Sequence, residues 1–163
     1  MQTKIITQNK AMKTLLYSFI HNENIRNNKE TLIILLQGDT GTGKEVFARE
    51  IHNSSKAKGK FVAINCAAIP DGLFASHWFG HRKGSFSGAI EDRKGAFEEA
   101  RNGTLFLDEI SEIPLELQAI LLRALQENKG YRVGEMDKER SYNVHRIICA
   151  TIAFQKKIWV LIE

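Results

Sequence analysis

The residues with the clearest chemical content are Gly38-Asp39-Thr40-Gly41-Thr42-Gly43-Lys44. They match the pattern G-x-x-x-x-G-K. Glycines at this spacing let the backbone turn its N–H groups inward around a phosphate, and a helix starting at the last residue adds partial positive charge. Lys44 is placed to reach the outer phosphates of a nucleotide. Such loops normally follow the lysine with Ser or Thr to hold Mg²⁺; here the next residue is Glu45. A second feature is Leu105-Phe106-Leu107-Asp108-Glu109. An apolar strand delivers two acids at its carboxyl end, where open α/β sheets bind ligands. Asp108 is the candidate Mg²⁺ holder, directly or through water, and Glu109 the group that polarises an attacking water. A third is Gly84-Ser85-Phe86-Ser87-Gly88-Ala89, where two glycines bracket an aromatic residue and present it on a flexible tip. Exposed apolar tips commonly mark contact sites.

Positioning these groups demands a particular series of elements. Leu32 to Leu36 are five consecutive apolar residues, which predict a strand buried on both faces of a parallel sheet. The glycine-rich turn follows, then a helix with Val46, Phe47 and Ile51 on one side. A second strand is predicted at Phe61–Ile64, and a short helix within Pro70–Phe79. The segment from Gly80 to Gly95, with four glycines and many charges, reads as a mobile loop or hairpin. A short helix at Phe97–Ala100 leads into a strand at Thr104–Leu107. The next helix runs from about Pro114 to Gln126, with Leu117, Ile120, Leu121, Ala124 and Leu125 at helical spacing. A last strand is predicted at Val144–Ala150. Ahead of all these, Met12, Leu15, Leu16, Phe19 and Ile20 form one apolar helical face. Strands alternating with helices imply right-handed crossovers and a mostly parallel sheet covered by helices on both faces.

Composition bounds the classes. With 163 residues, 43% hydrophobic and 26% charged, the chain suits one globular domain and not a disordered one. Two cysteines, Cys66 and Cys149, build no disulfide framework, so a reducing cytoplasmic setting is expected. No apolar run approaches the ~18 residues that would cross a bilayer. The formal charge of +4 carries little information about partners. His77 and His81 read as exposed loop histidines, not a metal pair. Lys138, Arg140 and Arg146 read as a solvated basic face, and no DNA-binding domain is expected. The cysteines read as small buried residues.

Taken together, GDTGTGKE, AINCAAIP, WFGHRKGSFSGA, NGTLFLDEI, LELQAILLRALQE, YRVG and RIICAT resemble, in order, the blocks of the central ATPase domain of sigma-54-dependent transcription activators. That family is a branch of the AAA+ ATPases, and its P-loop variant carries glutamate after the lysine, as at Glu45. The resemblance implies a P-loop AAA+ α/β/α sandwich with ATP and Mg²⁺ as ligands. It implies a phosphate-binding role for Lys44, metal and water-activating roles for Asp108 and Glu109, and a sensor role for Thr151. Asn65 matches the asparagine that restrains the catalytic glutamate. Gly84, Ser85, Phe86, Ser87, Gly88 and Ala89 match the loop that contacts sigma-54 RNA polymerase. Related subunits in a ring are further implied partners, with Arg123 and Arg132 at positions near subunit contacts, although both also read as surface salt-bridge residues.

Several positions depart from the family blocks. Ser85 and Ser87 replace alanine and threonine, His77 replaces glutamate, Asn102 replaces glycine, and Glu135 replaces the glycine after Val133-Gly134. The resemblance is read over Ile6 to Thr151, giving residues 1–151 as a partial ATPase core and 152–163 as a divergent tail. No arginine follows Arg146, so an arginine finger and the helical lid are expected to be missing, as in a gene product truncated by a frameshift. Loss of such a finger lowers phosphoryl-transfer rates by roughly 10³–10⁵, so turnover by this chain alone is expected to be slow. Ile158–Ile162 also reads as an ordinary terminal strand. Two other readings stand beside the ATPase. One is a non-enzymatic fragment that docks on sigma-54 or on intact relatives; the other is an inert product.

Overall fold

A computed structural model describes residues 31–55 and 57–152. Four parallel strands form the central sheet: β1 (Leu32–Gln37), β2 (Phe61–Asn65), β5 (Thr104–Asp108) and β8 (Arg146–Thr151). Their spatial order is β1-β8-β5-β2, so the last strand is inserted between the first and the third. Two short hairpins lie outside this sheet. One pairs β3 (Gly80–His81) with β4 (Arg93–Lys94), and the other pairs β6 (Lys129–Gly130) with β7 (Arg140–Ser141). The helices are α1 (Lys44–Asn53), α2 (Phe74–Phe79), α3 (Ala96–Glu99) and α4 (Leu115–Glu127). This is the parallel α/β architecture that the alternation of strands and helices predicts.

Two apolar clusters cover the sheet. The larger packs Trp78, Phe79, Phe97, Leu105, Leu107, Leu121, Leu125 and Ile147 together. The smaller joins Phe47, Ala48 and Ile51 of α1 to Ile34, Phe106 and Ile148. Alternation along β5 explains the division: Leu105 and Leu107 face one cluster and Phe106 the other. The inner strands are the most completely buried, with every residue of β8 buried.

Several boundaries and faces differ from the sequence expectations. Among the described residues β1 lies at one edge of the sheet, and Ile33 is 46% exposed. A Leu-Ile-Ile-Leu-Leu run reads alike at an edge and at a centre, which is why the expectation of two buried faces failed. On α1, Val46 is exposed and Ala48 takes its place in the core beside Phe47 and Ile51. Pro114 stands just before α4, with φ −54° and ψ 140°, and not inside its first turn. Ile120 of α4 is half exposed. The expected Met12–Ile20 helix and the Ile158–Ile162 segment lie outside the described residues. Among the described residues, no helix is long and apolar enough to cross a membrane.

Candidate functional site

The four parallel strands deliver their carboxyl ends to one edge. Register does the aligning. Gln37 pairs with Thr151, and Asn65 pairs with Asp108. The Gly38 N–H donates to the Thr151 carbonyl at 3.2 Å, carrying β1 into the glycine-rich turn beside the end of β8. Gly38, Thr151, Asp108 and Asn65 thus follow one another across the sheet in strand order. The sequence singled out all four, and the fold brings them into one row.

The turn between β1 and α1 has the form an anion requires. Gly41 and Gly43 have φ of 80° and 83°, left-handed conformations that side chains resist. An added Cβ at either would meet nothing within 4 Å, so the glycines serve backbone conformation and not packing. Thr42 closes the turn, its N–H and hydroxyl both donating to the Asp39 carbonyl, at 3.3 and 2.8 Å. Lys44 folds back over the loop, its ammonium donating to the carbonyls of Gly38 at 2.7 Å and Asp39 at 3.0 Å. An ammonium carries three donors, so one proton remains to face an incoming oxyanion. The first N–H groups of a helix have no intrahelical acceptor, and α1 has no side-chain cap. Thr40, Gly41 and Thr42 are exposed around this nest. Glu45 turns along the helix to Arg49, one oxygen accepting from Nε at 2.9 Å and Nη2 at 2.7 Å.

The acids end β5. Asp108 Oδ1 accepts the Glu109 N–H at 3.0 Å. Glu109 is left-handed, with φ 53° and ψ 48°, an uncommon conformation for a residue with a side chain. That kink breaks the strand's alternation at the second acid, and both acids are half-buried. Asn65 ends β2 and caps the following 3₁₀ turn (Cys66–Ala68), its Oδ1 accepting from the Ala67 N–H at 2.9 Å. Thr151 is buried at the end of β8. Beneath the row lie two buried thiols. Burial pushes the Cys149 thiol up to about 12. Cys66 is raised by burial first, then by Cys149, Asp108 and Glu109. Both are free and protonated, which matches their reading as small core residues.

The segment Gly84–Ala89 lies apart, in the hairpin that joins β3 to β4. The Gly84 N–H donates to the Ala89 carbonyl at 2.7 Å, and the Ala89 N–H to the Phe86 carbonyl at 3.0 Å, so the loop is a closed turn. Phe86 does not stand free at its tip. It is half-buried and meets the His81 ring edge-to-face at 5.0 Å. The most exposed apolar side chain here is Ile90, at 81%.

His81 is itself a correction. Expected in an exposed loop, it is buried, with Nδ1 2.7 Å from the Ser76 hydroxyl. It follows Trp78 and Phe79, whose burial draws the start of the hairpin into the core. The expected basic face also dissolves. Arg146 is buried at the start of β8, and Arg140 is half-buried against Glu135; of the three, only Lys138 is exposed. Arg132 is buried and pairs with Glu98 at 2.6 Å, whereas Arg123 pairs along α4 with Glu127 at 3.1 Å. Sequence reading missed the Ser76–His81 and Glu98–Arg132 pairs. Their only signal was a polar residue set among residues of an apolar block.

A family model described as the Sigma-54 interaction domain matches residues 5–159. The chain belongs to this family. The match runs past Thr151, where the sequence resemblance was read as ending. Among curated relatives of this sigma-54 domain, the Nif-specific regulatory protein of Azorhizobium caulinodans is 54% identical over 120 residues, 72% of this chain and 19% of that protein. The DNA-binding transcriptional activator HyfR of Escherichia coli is 47% identical over 160 residues, 98% of this chain and 22% of HyfR. The chain thus spans about a fifth of the length of these relatives. Among solved structures, NtrX from Brucella abortus in complex with ATP superposes with a TM-score of 0.73 at 29% identity, over 98% of this chain and 37% of NtrX. NtrX in complex with ADP gives 0.76 at 29% identity, over 97% and 36%. As a sigma-54 interaction domain, the chain shares its family and its AAA+ α/β fold with these bacterial transcription regulators.

Proposed function

We propose that this chain is the nucleotide-binding core of a sigma-54-dependent transcription regulator. In this reading ATP binds between the glycine-rich turn and the acids of β5, and its hydrolysis is coupled to remodelling of sigma-54 RNA polymerase through Gly84–Ala89. The observation that carries the reading is the single row formed by the turn, Thr151, Asp108–Glu109 and Asn65 at the carboxyl ends of adjacent strands. The solved NtrX complexes with ATP and ADP support the choice of nucleotide.

Each residue has a physical task. The uncapped N–H groups of α1 and the turn receive the phosphate oxygens, and Lys44 supplies a positive charge already aimed at them. Asp108 fits a hard cation such as Mg²⁺, a half-buried carboxylate whose second oxygen accepts no hydrogen bond from the Glu109 N–H. Bound there, Mg²⁺ would neutralise phosphate charge. Glu109 takes the proton of the attacking water. Asn65 sits beside Asp108 in register, within one residue of Glu109, and serves to restrain it. Thr151 reports on the phosphate end from the strand between. Gly84, Ser85, Phe86, Ser87, Gly88 and Ala89 meet sigma-54, and the working assembly is a ring of related subunits in the cytoplasm.

Titration of the chain with a fluorescent ATP analogue tests this. Saturable binding is expected, with Lys44→Ala weakening it by tenfold or more and Glu109→Gln leaving it in place. Equal binding by Lys44→Ala would overturn the proposed site.

A further inference from the structure

We propose that Glu135 is a positioning residue that clamps the Gly84–Ala89 loop to the β6–β7 hairpin. The inference deepens the reading of that loop as a partner contact and rests on it. Backbone joins the two segments first. The Val133 N–H donates to the Gly80 carbonyl at 2.9 Å, and the Arg82 N–H donates to the Val133 carbonyl at 3.0 Å. His81 and Val133 form a parallel bridge. Gly134 follows with φ 81°, and a Cβ built on it would lie 2.6 Å from the Ser85 Cβ. The second hairpin therefore touches the Gly84–Ala89 loop itself.

Side chains then cross the same junction. The Glu135 side chain is 14% exposed. Its Oε2 accepts from Arg140 Nε at 3.0 Å and Nη2 at 2.5 Å, within its own hairpin. Its Oε1 faces Arg82 Nε of the other segment at 3.8 Å. Arg82 Nη1 in turn meets Asp92 Oδ2 at 2.6 Å, and Asp92 Oδ1 accepts the Lys83 N–H at 2.8 Å. Charges alternate along Arg140, Glu135, Arg82 and Asp92, from the second hairpin to both flanks of the loop. Networks of this kind hold geometry better than isolated surface pairs, and they weaken in salt. Remove Glu135, and two guanidinium groups remain on this line with one carboxylate. Glu135 is the carboxylate that joins the two guanidinium groups, and the clamp depends on it. It holds the loop at rest with Phe86 against His81, and any partner that takes up Phe86 must draw the loop against it.

Amide hydrogen exchange on the chain, without nucleotide or sigma-54, tests the clamp. In low salt, Glu135→Gln and Glu135→Gly are each expected to speed exchange of the Arg82 and Gly84–Ile90 amides about threefold. Glu135→Asp should restore much of the protection, and high sodium chloride should narrow the gap between wild type and Glu135→Gln. Arg82→Gln also breaks the Asp92 pair and should speed exchange by itself, but in that background Glu135→Gln should add little further. Unchanged exchange in Glu135→Gln, additive effects of the two substitutions, or an equal rise in β5 would each overturn the clamp. Because no nucleotide or partner is present, such a result would leave the proposed ATP site standing, and failure of the Lys44 test would leave the clamp standing.

Discussion

At the scale of single residues, the chemistry gathers where strands end and backbone conformation is unusual. Lys44 holds the glycine-rich turn by two carbonyls, and Glu109 sits in a left-handed kink directly after Asp108. The thiols next to this row behave differently. With Cys149 pushed up to about 12 and Cys66 also raised by burial, almost no thiolate forms near neutral pH, and the thiolate is the reactive species. Iodoacetamide at mildly alkaline pH is therefore expected to leave both cysteines unmodified in the native chain and to alkylate both in guanidinium chloride. Mass spectrometry reads the outcome; fast native labelling of Cys66 would mean that the end of β2 opens. Cys66 directly follows Asn65 and is the first residue of the 3₁₀ turn that Asn65 caps, so such opening would disturb the row of polar groups.

At the scale of elements, α4 shows how a helix end is tied to the sheet. Asn128 follows α4 with φ 53°, which asparagine tolerates better than most residues. Its Nδ2 donates to the Thr31 hydroxyl at 2.7 Å and the Val144 carbonyl at 3.1 Å, and its Oδ1 accepts the Val144 N–H at 3.1 Å. Asn128→Ala loses both the conformation and the bonds, and is expected to cost about 2–3 kcal/mol in denaturant unfolding. Asn128→Gly loses only the bonds and should cost less, about 1–2 kcal/mol. Equal losses would show that backbone strain contributes nothing. None of this was visible in Glu127-Asn128-Lys129, since the partners Thr31 and Val144 are distant in sequence. The elements themselves were legible. Apolar runs marked β1, β2, β5 and β8, and helical spacing marked α4. The glycine-rich turn and the acids were legible for the same reason, because their chemistry is local. What escaped was long-range: the edge position of β1, the burial of His81 and Arg146, and the pairing of Glu135 with Arg82. Charged residues in a glycine-rich segment look solvated until a second segment is folded against them.

At the scale of the whole molecule, the sheet separates two apolar layers, and polar groups trapped between strands and helices tie stability to pH. His52 of α1 is half-buried, with Nδ1 3.0 Å from the Thr104 hydroxyl and its ring against Phe61. Burial lowers its pKa below the ordinary 6.5, and Arg146 and Arg49 lower it further. His77 is lowered by burial, Arg93 and His81. The unfolded chain therefore binds protons that the native chain refuses. Stability is level above the ordinary histidine value and falls as pH drops below it, toward the depressed native values. Melting temperature is expected to fall between about pH 7.5 and about pH 5.5, and to fall less in His52→Gln. An identical slope in that variant would remove His52 from the account.

The strand order has a further consequence, in time. Among the described residues β1 pairs only with β8, Leu32 against Arg146 through Gln37 against Thr151. During synthesis the glycine-rich turn leaves the ribosome long before the strand that must lie beside it. At about 5–20 residues per second, the wait is of the order of ten seconds. For that interval Leu32–Gln37 is an apolar ribbon without its neighbour, and the row of polar groups at the strand ends cannot be assembled. The row is complete only when the strand ending at Thr151 slots between the first and third strands, in one late step.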